Sequence, residues 1–263
     1  MNVLSLFSGI GGLDLGLQRA GMTIVGQVEI DPWCRKILAK HWPEVPRHDD
    51  VRTAVDWWRA DTRPAVDLVA GGVPCQPVSV AGKGLAQADA RWLWPATIDA
   101  IGVLRPRYAL LENVTGLLAR GMGDVLGQLA AIGYDAEWDC IPASAVGAPH
   151  QRDRVWIVAH PASPRHAPGT PGTGRQARDE ARRPGPDGLC SQVADAGSTR
   201  PQGRRPAEPR RWPRPAYSSW WVTEPDVGRV AHGIPRRVDR IRGLGNAVVP
   251  QVAEHIGRLI LTP

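Results

Sequence analysis

Through residues 1–159 the apolar positions fall in short runs, and these runs alternate with stretches of helical periodicity. Residues 3–7 read as a strand, followed by a glycine-rich turn and a helix that continues to residue 20. Residues 24–29 read as a second strand with a helix over 33–40 behind it, and further strands are predicted at 67–71, 108–112 and 155–159. Helical patterns cover 94–103 and 122–132. Strands alternating with helices predict an α/β domain built on a largely parallel sheet. Ligands of such sheets gather at the carboxyl ends of the strands, so chemically informative residues are expected directly after each strand.

The pattern then changes. The 55 residues of 161–215 contain 11 Pro, 7 Gly and 11 Arg, with Leu189 and Val193 as the sole large aliphatics. Such a segment has too little apolar surface to fold by itself. Aromatic residues return around Trp212, Tyr217, Trp220 and Trp221, and residues 227–261 again look folded, ending in an amphipathic helix over 250–261.

Charge follows the same division. Residues 1–159 carry 15 Lys and Arg against 17 Asp and Glu, and residues 160–263 carry 17 against 9, so the net charge of +6 resides in the second part. That asymmetry fits a polyanionic partner bound mainly there, and equally a solvated arginine-rich surface. No run of 18 apolar residues predicts a membrane span. The first residues lack a basic leader before an apolar stretch, which points to a cytoplasmic protein. Cys34, Cys75, Cys140 and Cys190 have no zinc-ligand spacing, so no structural metal is expected.

The candidate chemistry lies at the predicted strand ends. After the first strand come Gly9, Gly11 and Gly12, which let the backbone turn sharply and approach a ligand closely. Glu29 ends the second strand, where a carboxylate can accept from both hydroxyls of a ribose. Taken alone, this turn fits a nicotinamide dinucleotide, an adenosylmethionine or no ligand. The loop has no cation to meet phosphates, which favours an adenosine ligand without them. Asp50, or its neighbour Asp49, could accept from an adenine amino group. Cys75 follows the third strand on a turn stiffened by Pro74 and Pro77, a place more suited to a nucleophile than to a core thiol. A polar stretch from Ser79 to Arg91, with Gly82 and Gly84, could be a lid. Glu112 ends another strand, and Arg152 and Arg154 stand just before the last.

These residues together resemble the DNA cytosine-5 methyltransferases of bacteria and their phages. The resemblance rests on Phe7-Ser-Gly-Ile-Gly-Gly12, Glu29-Ile-Asp31, Pro74-Cys-Gln76, Glu112-Asn-Val114, Gln151-Arg-Asp-Arg154 and Gly245-Asn-Ala-Val-Val-Pro250, in that order. It covers residues 1–159 and roughly 222–262. It implies a Rossmann-like, adenosylmethionine-dependent methyltransferase sheet with helices on both faces, and a small irregular target-recognition region. The implied division is a catalytic and cofactor domain over 1–159, a recognition region over 160–222, and a segment over 223–263 that returns to the first domain. Implied cofactor contacts for S-adenosyl-L-methionine are Phe7, Ser8, Gly9, Gly11, Gly12, Glu29, Ile30, Asp50, Pro74, Asn246 and Val248. Implied catalytic residues are Cys75, Glu112, Arg152 and Arg154, with Arg154 the closer to the base. Gln76, Ser79, Arg91 and Asn113 are the implied substrate and DNA contacts. The implied partner is double-stranded DNA bound by a monomer, with a cognate restriction endonuclease as a candidate companion. A tRNA cytosine as substrate, and a catalytically silent DNA-binding relative, are the alternatives.

Overall fold

The computed structural model describes residues 1–74, 92–162 and 237–262. Its sheet has seven strands, β1 (Asn2–Leu6), β2 (Thr23–Val28), β3 (Arg47–His48), β4 (Leu68–Gly72), β5 (Tyr108–Val114), β6 (Tyr134–Ile141) and β7 (Arg154–Pro161). They lie in the order β3-β2-β1-β4-β5-β7-β6. The five strands from β3 to β5 pair in parallel, whereas β7 is antiparallel to both β5 and β6.

Eight helices accompany the sheet among the described residues: α1 (Gly12–Arg19), α2 (Pro32–His41), α3 (Ala54–Arg59), α4 (Trp94–Leu104), α5 (Gly116–Arg120), α6 (Met122–Ala131), α7 (Arg237–Asn246) and α8 (Pro250–Leu261). None is long and apolar enough to cross a membrane. The start of α2 is set locally: Asp31 accepts from the backbone N–H groups of Trp33 and Cys34, and Pro32 occupies the first helical position.

Helices cover both faces of the sheet, so its central strands are apolar on both sides. On one face Leu4, Leu6, Val69 and Leu111 pack with Trp58 of α3, Trp94 and Ile98 of α4, and Val125 and Leu129 of α6. On the other, Val3, Leu68, Ala70 and Leu110 pack with Leu13 and Leu17 of α1 and Val252, Ala253 and Ile256 of α8. The amphipathic helix expected at 250–261 is thus a core element. It lies so close to α1 that a Cβ on Gly16 would collide with the Pro250 carbonyl and stand 2.6 Å from the Ala253 methyl.

The predicted strands and helices are present, with ends displaced by up to two residues. Two strands were not anticipated. β3 is two residues long and has no periodicity to read. β6 carries Asp135, Glu137 and Asp139 on a sheet edge, where a row of charge interrupts any apolar run and guards the open edge. The short α3, α5 and the helix α7 were also unforeseen.

Candidate active site

The first half of the site is a turn. After β1 the chain passes through Phe7 and Gly9 with φ of 53° and 55°, then Gly11 with φ of 85°. Among the described residues, three that are not glycine have positive φ: Phe7, Arg105 and Arg152. Two of the three fall in segments predicted to carry function, where strained backbone concentrates. Gly11 is required on two counts, its left-handed φ and the Trp42 ring that occupies the space a Cβ would need.

Glu29 lies just past the end of β2 and grips this turn. One carboxylate oxygen accepts from the N–H of Gly9 at 2.7 Å and the other from Asp31 at 2.8 Å. A carboxylate offers about four acceptor positions, so two remain for a ligand's hydroxyls. Ile30, beside it, is 67% exposed and offers an apolar surface next to the acid. Asp50 is held by its own neighbour: Arg52 donates from Nε and Nη2 to the carboxylate at 2.8–3.1 Å, which keeps the Asp50 carboxyl below the usual range. Asp49 is the more open of the two acids, with a side chain 66% exposed.

The second half is assembled from distant segments. Glu112 stands opposite Gly72 in the β4–β5 register, and a Cβ on Gly72 would lie 3.2 Å from its Oε2. The Glu112 side chain is mostly buried and its Oε1 is 3.0 Å from Arg154 Nε. Burial pushes the Glu112 carboxyl up, against the opposing influence of the Arg154 and Arg152 charges. The next residue, Asn113, was expected to touch substrate. It is instead 2% exposed, donates to the Val73 carbonyl at 3.1 Å, and accepts from the Val114 N–H at 2.8 Å. Val73 also donates to the Glu112 carbonyl at 3.2 Å. Asn113 therefore fixes the backbone just before Pro74.

Arg152 and Arg154 divide their work. Arg154 faces Glu112, whereas Arg152, with φ of 46°, donates to the carbonyls of Gly245 and Ala247 at 2.8 and 2.7 Å. Those carbonyls lie in the last turn of α7 and in the connection to α8, so Arg152 clamps the C-terminal segment onto the site. Val248, in the same connection, presses its carbonyl against Gly12 at the start of α1 and reaches to 3.8 Å of a Cβ on Gly72. It spans both halves of the site. Asn246 is exposed at the end of α7. A small cavity within the second half is lined by Glu112, Arg152, Arg154, Trp156, Val248 and Val252. Cys75, Gln76, Ser79 and Arg91, and the recognition region from 163 to 222, lie outside the described residues.

Sequence reasoning missed one group at the site. Asp14, in α1, is fully buried and accepts from Ser5 Oγ at 2.5 Å and Gln27 Nε2 at 2.6 Å. Its signal was available: an acid flanked by Leu13 and Leu17 on the face that helical periodicity assigns to the core.

A sheet of this order with a single reversed strand, a glycine turn after β1 and an acid after β2, defines an α/β protein of the adenosylmethionine-dependent methyltransferase type. Residues 1–180 match the family model for C-5 cytosine-specific DNA methylases, and the chain belongs to that family. It is 30% identical to the type II methyltransferase M.NaeI of Lentzea aerocolonigenes across 99% of this chain and 74% of that protein. It is 36% identical to M.HgiCII of Herpetosiphon aurantiacus across 59% of this chain and 36% of that protein. The chain spans half or less of several curated relatives, such as M.HgiCII at 36% and M.NgoMIV of Neisseria gonorrhoeae at 50%. Among solved structures it resembles a putative DNA modification methyltransferase of an Escherichia coli prophage, with TM-score 0.51 and 27% identity over 61% of this chain and 47% of that one. The Dnmt2 methyltransferase of S. pombe is similar at TM-score 0.50 and 26% identity, over 62% and 51% of the two chains.

Proposed function

We propose that this protein transfers a methyl group from S-adenosylmethionine to carbon 5 of a cytosine in DNA, with Cys75 as the attacking nucleophile. The observation that carries this reading is the position of Glu112. It is a mostly buried carboxyl, paired with Arg154, at the point where β4 ends and the chain enters Pro74 and Cys75.

The residues present fit the cofactor. Two acceptor positions on Glu29 suit the ribose hydroxyls, and the turn from Phe7 to Gly12 brings bare backbone to the methionine part. Ile30 suits the adenine face, and the open carboxylate of Asp49, or that of Asp50 once it accepts alongside Arg52, suits the adenine amino group. Val248, against Gly12, would hold the cofactor from the C-terminal side, together with Asn246 and Pro74. The bound sulfonium supplies an electrophilic methyl group to carbon 5.

Cytosine carbon 5 is too weak a nucleophile to take that methyl unaided. The Cys75 thiolate adds to carbon 6, forming an S–C bond and pushing the ring electrons into an enamine. Glu112, whose carboxyl burial pushes up, supplies a proton to ring nitrogen 3 as sulfur adds and so offsets the charge that develops there. Arg154 orients Glu112 and meets the ring oxygen. After methylation, carbon 5 gives its proton to water and the thiolate leaves, restoring Cys75. A paired base cannot reach this pocket, so the cytosine must leave the duplex at a cost of a few kcal/mol. Residues 160–222 read the target, and Gln76, Ser79, Arg91 and the arginines of the second part grip the strand, with binding that weakens steeply in salt.

Methyl transfer from labelled S-adenosylmethionine to cytosine-containing duplex DNA, followed by bisulfite sequencing, tests this reading. Wild-type protein should modify carbon 5 at one sequence context. Cys75→Ala should retain cofactor and DNA binding and transfer nothing. Turnover by Cys75→Ala would refute the nucleophile, and transfer to tRNA but not to DNA would reassign the substrate.

A further inference from the structure

Beneath α1 a polar row interrupts the apolar face of the sheet. Ser5 of β1 pairs with Gln27 of β2, which pairs in turn with Arg47 of β3. These three side chains form a polar line across three adjacent strands, and Asp14 descends on it from α1. Ser5, Gln27 and Asp14 are all fully buried. A buried carboxylate without an adjacent cation is costly, and a chain retains one only where its hydrogen bonds are complete.

The donors and acceptors of this row run in a fixed direction. Arg47 Nη1, which can only donate, meets Gln27 Oε1 at 3.4 Å and the Trp42 carbonyl at 2.7 Å. Gln27 must therefore present Nε2 to Asp14, as observed. From the other side Ser5 donates its hydroxyl proton to Asp14, which leaves its lone pairs to Ser8, whose Oγ donates to it at 2.9 Å. The carboxylate is the terminal acceptor for both arms. Each arm ends on the glycine turn. Ser8 is part of that turn, between Phe7 and Gly9 with their positive φ, and Trp42, whose carbonyl Arg47 holds, seats its ring on Gly11.

We infer that Asp14 is a positioning residue for the cofactor turn, tying Ser8 inward at one end and Trp42 down on Gly11 at the other, so that Gly9 is presented to Glu29 before any ligand arrives. This rests on the reading of that turn as the adenosylmethionine site. Burial, opposed by the Ser5 and Gln27 hydrogen bonds, pushes the Asp14 carboxyl up to about 6, so near neutral pH it is the doubly accepting carboxylate that the row requires.

The directionality yields a sharp test. In Asp14→Asn the amide can accept from Ser5, in which case its NH2 opposes the NH2 of Gln27. Turning Gln27 over only moves the conflict to Arg47, and turning Asn over reverses the Ser5 hydroxyl, so that Ser8 keeps only its longer bond to the Ser5 carbonyl at 3.2 Å and holds the turn less firmly. The double variant Asp14→Asn/Gln27→Glu removes every conflict, because the new amide donates to a carboxylate that also accepts from Arg47.

The experiment is calorimetric titration of S-adenosylmethionine into wild type, Asp14→Asn, the double variant and Ser5→Ala, with circular dichroism to establish folding. Asp14→Asn should raise Kd at least about tenfold, which is about 1.4 kcal/mol, with kcat at saturating cofactor and DNA affinity within about twofold of wild type. The double variant should return to within about threefold of wild-type Kd. Unchanged cofactor affinity in folded Asp14→Asn, or a folded double variant that binds no better than the single one, would overturn the inference. Should Asp14→Asn not fold, Ser5→Ala severs Ser8 from the carboxylate and carries the same expectation; an unchanged Kd there overturns it. Wild type that fails to bind S-adenosylmethionine defeats the reading of the turn itself, a different result from variants that bind as tightly as wild type.

Discussion

The two halves of the site are built by opposite means. At the β1–β2–β3 edge the polar contacts join residues close in sequence: Gly9 to Glu29, Asp31 to Glu29, and Arg52 to Asp50. At the β4–β5–β7 edge they join residues far apart: Asn113 to Val73, Arg154 to Glu112, and Arg152 to Gly245 and Ala247 across more than ninety residues. The first half can form as soon as its local βαβ unit folds. The second exists only when the whole sheet and the C-terminal segment have come together. Cofactor binding and base chemistry should therefore respond to different perturbations.

The strongest way to separate them is Glu112→Gln. Gln keeps the shape but cannot hold an acidic proton at ring nitrogen 3. We expect kcat to fall by about 10² to 10⁴, the range usual for loss of a proton-transfer group, with the Kd for S-adenosylmethionine unchanged. Single-turnover methylation alongside calorimetric titration measures both. A loss that appears in cofactor Kd instead would mean that the two halves are not separable at Glu112.

Arg152→Ala attacks the long-range half without touching the Glu112–Arg154 pair. It removes two charged hydrogen bonds, to the end of α7 and to the connection that follows it. At up to about 1.5 kcal/mol for each, with less from the exposed bond to Gly245, the loss should be about 2 to 3 kcal/mol of stability. Urea denaturation measures it, and hydrogen exchange should show protection lost first around residues 245–249. Uniform loss of protection through β1 and β2 would mean that the two halves do not fold separately. On the local side, Glu29→Ala removes the acceptor of Gly9 and Asp31 together. It should raise the Kd for S-adenosylmethionine roughly thirtyfold, about 2 kcal/mol, while DNA affinity measured by anisotropy stays the same.

The same contrast explains what could be read from the sequence. The turn, Glu29 and the strand that presents them were legible because spacing along the chain is nearly spacing in the fold. The strand carrying Glu112 was legible from its apolar run, and the helix 250–261 from its periodicity. The division of labour between Arg152 and Arg154 was not, since two arginines separated by one residue look alike until one meets Glu112 and the other a segment ninety residues on. Asn113 was misjudged for a related reason: a polar residue after a catalytic acid reads as a substrate contact, and only pairing with β4 reveals that its amide serves the Val73 backbone. The burial of Asp14 is legible from the periodicity of α1, but its partners are not, since no pattern within α1 records that Ser5 and Gln27 stand in register beneath it.

The smallest effect we expect is a pH dependence that belongs to the local half alone. The Asp14 carboxyl is at about 6 in the folded protein against 3.8 when unfolded, the shift being due first to burial and in smaller part to the nearby Glu29 charge. The folded state thus holds this proton more tightly, and stability falls as pH rises through this interval rather than rising. Well below pH 3.8 the group contributes nothing. Above about pH 7 its ionisation costs about 3 kcal/mol, at 1.36 kcal/mol per pH unit, and roughly half of that develops between pH 5 and 7.5. Asp14→Asn has no such proton. The stability of wild type relative to Asp14→Asn should therefore decline by on the order of 1.5 kcal/mol between those two pH values in urea titrations. A difference that stays flat would mean that the carboxylate is not sealed under the turn. A difference that grows in favour of wild type would mean that the hydrogen bonds of the row outweigh burial and that the folded protein holds this proton less tightly than the unfolded chain.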